Sequence, residues 1–250
     1  TDATGTIAMP NLRGIMVMGM RYARIEHNVI SGNRLSAIWL VNAFMPAVGA
    51  NRIGVAADGK TPLPNGASGV YVGIGTDWPS FTNNVIANNG EFGIAVHPSV
   101  RRLLAIQNSI YDNHHLGIDY GLDLATPNAP SDLGRMPNTP TLTSARYDAA
   151  TNTTIVEGTL VTSFEAPPLG NRARVVLYAN DNGANPQAQT LLGVATFIGE
   201  GAFRFTMKGD LRGKFITSIT HRYRKAGEGT LEEYSISDEI SEISPAVAVQ

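Results

Sequence analysis

Apolar residues in the first half of the chain alternate in short bursts. Ile15 and Val17, Ile38 and Leu40, Val70 and Val72, and Ile94 and Val96 each flank a single intervening residue. A spacing of two puts both members on one side of an extended backbone, so each burst predicts a short strand with one buried face. A helix would need apolar positions three and four apart sustained over about ten residues or more, and no such series is present here.

The bursts recur at a regular interval. Each opens on a small residue followed by a branched one: Gly14-Ile15, Ala37-Ile38, Gly69-Val70, Gly93-Ile94, Gly117-Ile118. The intervals are 23, 32, 24 and 24 residues. A second signature runs in step with the first: Asn28-Val29-Ile30-Ser31-Gly32-Asn33, Asn51-Arg52-Ile53-Gly54, Asn84-Val85-Ile86-Ala87-Asn88-Asn89 and Asn108-Ser109-Ile110-Tyr111-Asp112-Asn113. The long interval contains the turn-rich stretch Asp58-Gly59-Lys60-Thr61-Pro62-Leu63-Pro64-Asn65-Gly66. Without it the period is 23 to 24 residues throughout. A leucine-rich repeat has a similar period, but its Leu-x-x-Leu-x-Leu pattern is missing. Short strands at constant period, parted by Gly and Asn turns, predict the stacked coils of a parallel β-helix.

Coils of such a solenoid lie roughly 4.8 Å apart, so equivalent positions become columns. Asn28, Asn51, Asn84 and Asn108 are expected to form a structural ladder, each amide bonding to the next coil or to local backbone. The competing structural reading is that Asn is there because it tolerates left-handed turn geometry. Neither reading gives these residues chemistry. The insertion also repeats: Gly59-Lys60-Thr61-Pro62-Leu63-Pro64-Asn65 echoes Gly5-Thr6-Ile7-Ala8-Met9-Pro10-Asn11, 54 residues earlier. The expectation from this echo is a chain that begins inside a loop of a coil, as the C-terminal piece of a longer solenoid.

Composition narrows the picture further. Charged residues are only 16%, with 26 Gly and 14 Pro, which suits tight turns better than solvated helix faces. A net charge of −2 offers no attraction to nucleic acid or to an anionic membrane, so neither is an expected partner. No apolar run reaches the roughly 18 residues of a spanning helix, so membrane insertion is not expected. No signal peptide is recognisable. There is no cysteine, which excludes disulfides, thiolate chemistry and Cys-based zinc sites while leaving the compartment open.

The runs Asn51-Arg52-Ile53-Gly54, Asp58-Gly59 through Pro64-Asn65, Gly69-Val70, Asn84-x-Ile86-x-x-Asn89 and Gly117-Ile118-Asp119 resemble those of right-handed parallel β-helix repeat proteins of bacteria. This is the broad pectate-lyase-like superfamily, including its periplasmic copper-insertion relatives. The resemblance covers residues 1 to about 138. In large secreted bacterial members, a stretch like Ser131-Asp132-Leu133-Gly134 and then Pro137-Asn138-Thr139-Pro140 follows the last coil, and a β-sandwich follows that. The resemblance implies a fold and a secreted or cell-surface location. It does not imply an activity, because the superfamily holds lyases, hydrolases, epimerases, adhesins and inert spacers.

Beyond Ala125 the pattern changes. The Pro-rich segment 125–140 reads as a linker. Strands are expected at 153–160, 174–179, 191–198, 202–207, 215–222 and 234–237, with turns such as Asn180-Asp181-Asn182-Gly183 between them. Gly213-Lys214-Phe215-Ile216-Thr217 and Ser237-Asp238-Glu239-Ile240-Ser241-Glu242-Ile243-Ser244 look like closing strands. Several strands over this length suggest an immunoglobulin-like β-sandwich. The expected fold is therefore all-β: a right-handed parallel β-helix at 1–124, a linker at 125–140 and a sandwich at 141–250. A sandwich packed on the last coil would cap its unpaired backbone, and the end at Thr1 is expected to be sticky.

Catalytic candidates are sparse. Asp119 and Asp123, beside His114 and His115, form the best acid cluster of the coils. Gly-Ile-Asp is part of the terminal-coil consensus in resembling proteins without assigned activity, so no catalytic residue is assigned. No metal site is assigned either: adjacent His114 and His115 on a strand would point to opposite faces. Arg101-Arg102 reads as a solvated charge pair. Asp181-Asn182-Gly183-Ala184-Asn185 offers oxygen ligands for calcium, the one cofactor with a place in the sequence, and an Asx turn is the simpler reading.

A surface stripe carries more promise. With Ile15, Ile38, Val70, Ile94 and Ile118 inward, the residues that follow (Met16, Trp39, Tyr71, Ala95, Asp119) face outward. Two positions on lie Met18, Val41, Gly73, His97 and Gly121. Met16, Met18, Trp39, Val41 and Tyr71, with His97 at the margin, predict an exposed apolar and aromatic stripe across three coils. Aromatic rings stack on sugars and Met adapts to partner surfaces, so a glycan, another protein or a second copy of the chain fits it. A covering loop, 42–50 or 58–66, is the competing expectation. The function expected is a secreted or cell-surface structural and adhesive protein that binds glycan or protein, with self-association. The alternative is a lyase or epimerase on acidic polysaccharide whose catalytic residues lie largely outside these coils. A bare spacer is the third.

Overall fold

The computed structural model describes residues 1–129, 136–161, 171–197, 201–224 and 239–250. They form two units: Thr1–Thr126 together with Gln187–Gln189, and Pro127–Pro186 together with Thr190–Gln250.

The first unit is a parallel β-solenoid. The leading strand of each coil is β1 (Ile15–Met18), β4 (Ile38–Val41), β7 (Val70–Val72), β10 (Ile94–Val96) and β13 (Ile118–Tyr120). These make one sheet in chain order, with Ile15, Ile38, Val70, Ile94 and Ile118 in register. The second sheet stacks β2 (Arg24–Glu26), β5 (Ala47–Gly49), β8 (Ser80–Thr82) and β11 (Leu104–Ile106). The third stacks β3 (Val29–Ile30), β6 (Arg52–Ile53), β9 (Val85–Ala87) and β12 (Ser109–Tyr111). The period-two positions fill the interior as expected: Ile38, Leu40, Val72, Ile94 and Ile118 from the first sheet meet Val48 and Phe81 from the second and Ile53, Ile86 and Ile110 from the third, all fully or almost fully buried. Each such side chain contributes about 1.5–3 kcal/mol by leaving water.

The coil corners show why Asn recurs. Left-handed residues turn the chain between strands: Tyr22, Met45, Trp78 and Arg102 between the first and second, the first three after an earlier left-handed Gly19, Asn42 or Gly75, then His27, Ala50, Asn83 and Gln107 between the second and third. The second group sits immediately before Asn28, Asn51, Asn84 and Asn108. Left-handed geometry therefore falls on the preceding residue, and the asparagines serve as ladder rungs. Asn28 N–H and Nδ2–H donate to Asn51 Oδ1 at 3.0 and 3.1 Å. Asn51 repeats this onto Asn84 at 3.0 and 3.1 Å, and Asn84 onto Asn108 at 3.0 and 2.9 Å. Each interior amide also donates backwards, Asn51 Nδ2 to Ile25 O at 2.7 Å and Asn84 Nδ2 to Val48 O at 2.9 Å.

A second ladder runs through Asn33, Asn65, Asn89 and Asn113, each Nδ2–H donating to the next Oδ1 at 2.9 Å. In the second coil the insertion falls between the two columns. Residues 55–64 therefore loop out as a hairpin, closed by a Val55–Pro62 bridge, while Asn65 takes its rung. The same hairpin opens the chain. Asp2 N–H to Ile7 O (2.9 Å) and Gly5 N–H to Asp2 O (3.0 Å) match Ala56 N–H to Thr61 O (2.8 Å) and Gly59 N–H to Ala56 O (2.9 Å). The two hairpins touch at Gly5, where φ is +71° and a Cβ would lie 2.8 Å from Ala57 Cβ, so glycine is required.

At the other end of the solenoid, Ala188 pairs antiparallel with Ile110, each N–H donating to the other's carbonyl at 2.8 Å. Gln187 Oε1 accepts Asn113 Nδ2–H at 3.2 Å, standing where a further rung's Oδ1 would be.

The second unit contains two antiparallel sheets. One orders β14 (Thr141–Asp148), β15 (Thr153–Leu160) and β18 (Gly201–Lys208). The other orders β17 (Thr190–Phe197), β16 (Asn171–Asn180), β19 (Phe215–Arg224) and β20 (Glu239–Ile240), with β21 (Val247–Ala248) also on β19. Ala145, Val156, Leu160 and Phe203 of the first share one core with Val175, Leu177 and Ile216 of the second. Strand β14 was not foreseen: its Thr-Leu-Thr-Ser-Ala-Arg-Tyr-Asp run carries too few apolar residues. The expected strand 234–237 and the Ser131-Asp132-Leu133-Gly134 stretch lie outside the described residues.

Candidate interaction face

The outward positions of the leading sheet make the face. Met16 pairs with Trp39, Trp39 with Tyr71, and Met18 with Val41, so the columns form as the spacing implied. Their exposure is uneven. Met16 and Met18 are 58% and 57% exposed, whereas Trp39, Val41 and Tyr71 are half-buried.

The half-burial has a specific cause. The Trp39 and Tyr71 rings stack at 4.1 Å between centroids with 31° between planes. The Arg13 guanidinium lies 4.2 Å over Trp39. Arg13 belongs to the first coil and Tyr71 to the third, so they occupy opposite faces of the indole. The two rings therefore pack on each other across adjacent coils. Part of the aromatic surface that a sugar would stack on is thus already in contact within the chain.

The exposed apolar surface lies mainly on the first coil. Met20 is 56% exposed and Tyr22, at its left-handed corner, 61%, continuing Met16 and Met18. Met45 and Ile74 extend the surface onto the next two coils. At the adjacent corner Arg102 lies 4.6 Å over Trp78 and 3.5 Å from Asp77 Oδ2. Met20 and Tyr22 fall on the same every-second spacing as Met16 and Met18, although the left-handed Gly19 intervenes; Met45 and Ile74 were not legible, since left-handed Asn42 precedes Met45 and Ile74 shares the spacing of the inward Val70 and Val72. Beyond Tyr71 the outward column is not a surface: Ala95 and Asp119 are buried, contrary to expectation.

The remaining candidates do not converge. Asp119 is fully buried and engaged, and the Asp123 carboxylate packs beside Gly121. His114 and His115 lie in the turn between β12 and β13 rather than on a strand. Their rings meet edge to face at 4.7 Å, which corrects the opposite-face expectation. His97 Nδ1 accepts Ser99 N–H at 3.1 Å within its own turn. Among the described residues no group of three His, Asp or Glu could hold a metal ion. In the calcium candidate, Asn182 Oδ1 caps Ala184 N–H at 2.9 Å in an Asx turn, and Asp181 pairs with Lys214.

Residues 5–126 match the family model described as a right handed beta helix region. The first half of the chain is a right-handed β-helix repeat. No curated protein matches the chain. The β-helix identifies a scaffold, and activity must be argued from its surface.

Proposed function

We propose that this is a secreted or cell-surface structural and adhesive protein whose β-helix binds another protein through the methionine face of its first three coils. The second unit serves as an accessory module of immunoglobulin-like sandwich type. The observation that carries the reading is the run Met16, Met18, Met20 and Tyr22, each more than half exposed and contiguous along one coil. Unbranched thioether side chains repack against varied apolar surfaces, which suits a protein partner. The Arg13–Trp39–Tyr71 stack disfavours the glycan alternative, since the indole faces a sugar would use are already covered.

The test is binding of the full chain to bacterial or host cell surfaces. Protease treatment of those surfaces should abolish binding, enzymatic glycan removal should leave it, and the M16S/M18S/M20S variant should lose it at unchanged thermal stability. Binding that survives protease but not glycan removal would overturn the assignment. Turnover of a uronate polymer by the chain would replace it with the lyase or epimerase alternative.

A further inference from the structure

Asn-Gly pairs occur three times in the chain: Asn65-Gly66, Asn89-Gly90 and Asn182-Gly183. The pairing carries a chemistry of its own. With no Cβ on the second residue, its backbone nitrogen can come close to the asparagine Cγ and attack it. The fold treats the three pairs differently.

Two of them are held in the second ladder. Asn65 is fully buried and Asn89 1% exposed. Asn65 Oδ1 accepts Asn33 N–H and Nδ2–H at 3.1 and 2.9 Å, and Asn65 Nδ2 donates to Ile30 O and Asn89 Oδ1 at 3.1 and 2.9 Å. Asn89 Nδ2 donates onward to Asn113 Oδ1 at 2.9 Å. The attacking nitrogens are held too: Gly66 N–H donates to Asn33 O and Gly90 N–H to Asn65 O, both at 2.9 Å. Both glycines are tightly enclosed, since a Cβ would lie 2.2 Å from Arg34 O at Gly66 and 2.5 Å from Gly66 O at Gly90. Ring closure at either pair requires a rung to break first.

Asn182 lies in the connection between β16 and β17 and is exposed. Its Oδ1 accepts Ala184 N–H at 2.9 Å. Among the described residues, its Nδ2 and the Gly183 N–H have no hydrogen-bond partner. The Oδ1 bond folds the side chain forward over the Gly183 peptide. It also places a donor on the oxygen that gains negative charge as a nitrogen adds to Cγ, which favours the addition. No other residue fits at 183, because a Cβ there would lie 2.3 Å from Phe215 Cδ1.

We propose that Asn182 is a site of spontaneous covalent modification, converted through a succinimide to aspartyl and isoaspartyl residues while Asn65 and Asn89 keep their amides. The Gly183 nitrogen bonds to Asn182 Cγ, and the side-chain amide nitrogen leaves as ammonia, carrying the Gly183 proton. Water, the one co-reactant, then opens the ring, and nothing is oxidised or reduced. Cleavage at Cγ gives aspartate on the original main chain. Cleavage at the Asn182 backbone carbonyl gives isoaspartate, with one more methylene in the main chain. Either product adds one negative charge to the formal −2 of the chain, next to Asp181, which pairs with Lys214. The proposal is independent of the methionine face.

The test incubates the full chain in mildly alkaline buffer and follows each pair by peptide mass spectrometry, against free peptides spanning 61–70, 85–94 and 178–187. Asn65 and Asn89 should lose their amides roughly tenfold or more slowly in the chain than in their peptides, because reaction there waits on local opening. Asn182 should react at the rate of its peptide or faster. In urea all three should approach their peptide rates. The aged chain should accept methyl groups from S-adenosylmethionine and an isoaspartyl methyltransferase, and Asn182→Ser should abolish that labelling. Roughly tenfold protection of Asn182 in the folded chain would overturn the proposal, as would amide loss at Asn65 or Asn89 that keeps pace with it.

Discussion

Asn84→Ala should cost about 3–5 kcal/mol, and Asn28→Ala about 1 kcal/mol or less. Asn84 is 1% exposed, and its side chain takes part in four hydrogen bonds. Oδ1 accepts Asn51 N–H and Nδ2–H at 3.0 and 3.1 Å, and Nδ2 donates to Val48 O and Asn108 Oδ1, both at 2.9 Å. Alanine removes all four, but the groups left behind are not equally harmed. Asn51 Nδ2 retains Ile25 O, and Asn108 Oδ1 retains the Asn84 backbone N–H. Asn51 N–H retains nothing, and an orphaned buried donor alone costs about 1–3 kcal/mol. Asn28 is exposed, and its loss leaves Asn51 Oδ1 still accepting the Asn28 backbone N–H. Urea unfolding followed by circular dichroism, compared at equal m-value, measures both. Asn84→Leu separates bonding from volume, since it refills the space and leaves the same donor orphaned. If Asn84→Ala falls within about 1 kcal/mol of Asn28→Ala, or if leucine restores stability, the ladder does not hold the coils together as argued.

Phe81 is fully buried among three sheets, and Phe81→Ala should destabilise the β-helix by about 3–5 kcal/mol in the same assay. A double-mutant cycle of Arg13→Ala and Trp39→Ala should return a coupling of about 0.5–1 kcal/mol; additive effects would mean the guanidinium does not rest on the indole. Burial pushes the Tyr178 hydroxyl up to about 12 from an ordinary 10.0. Between those values the unfolded chain has released the proton while the folded chain keeps it, so stability falls as pH rises through that window. Tyr178→Phe should flatten the fall in alkaline denaturation. The Thr61 hydroxyl, then the Lys60 and Thr61 amides, hold Asp58 down to about 2 from 3.8. Its contribution is thus present above the ordinary value and fades as pH drops toward about 2. A side-chain NMR titration should show this midpoint rising in Thr61→Val.

A solenoid converts sequence period into spatial contact, and that is why so much of the first unit was legible. Residues 23 or 24 apart lie on top of one another, so alternation placed the core, the asparagine columns and even the opening hairpin without any knowledge of tertiary packing. The second ladder was obscured where the insertion shifts Asn65 off the regular interval, although its amide-to-amide bonds follow the first's. What the period could not decide is the direction side chains take once stacked. Trp39 and Tyr71 pack on each other and the Arg13 guanidinium lies over Trp39, so part of the outward aromatic surface is used within the chain. Nor could it say which outward positions stay in water, as burial of Ala95 and Asp119 shows. Gln187 stands at the end of the second ladder from 74 residues away, outside any repeat. Local pattern specifies what recurs along the chain; the ends of a stack, where recurrence stops, are settled by whatever the rest of the fold brings to satisfy the last unpaired groups.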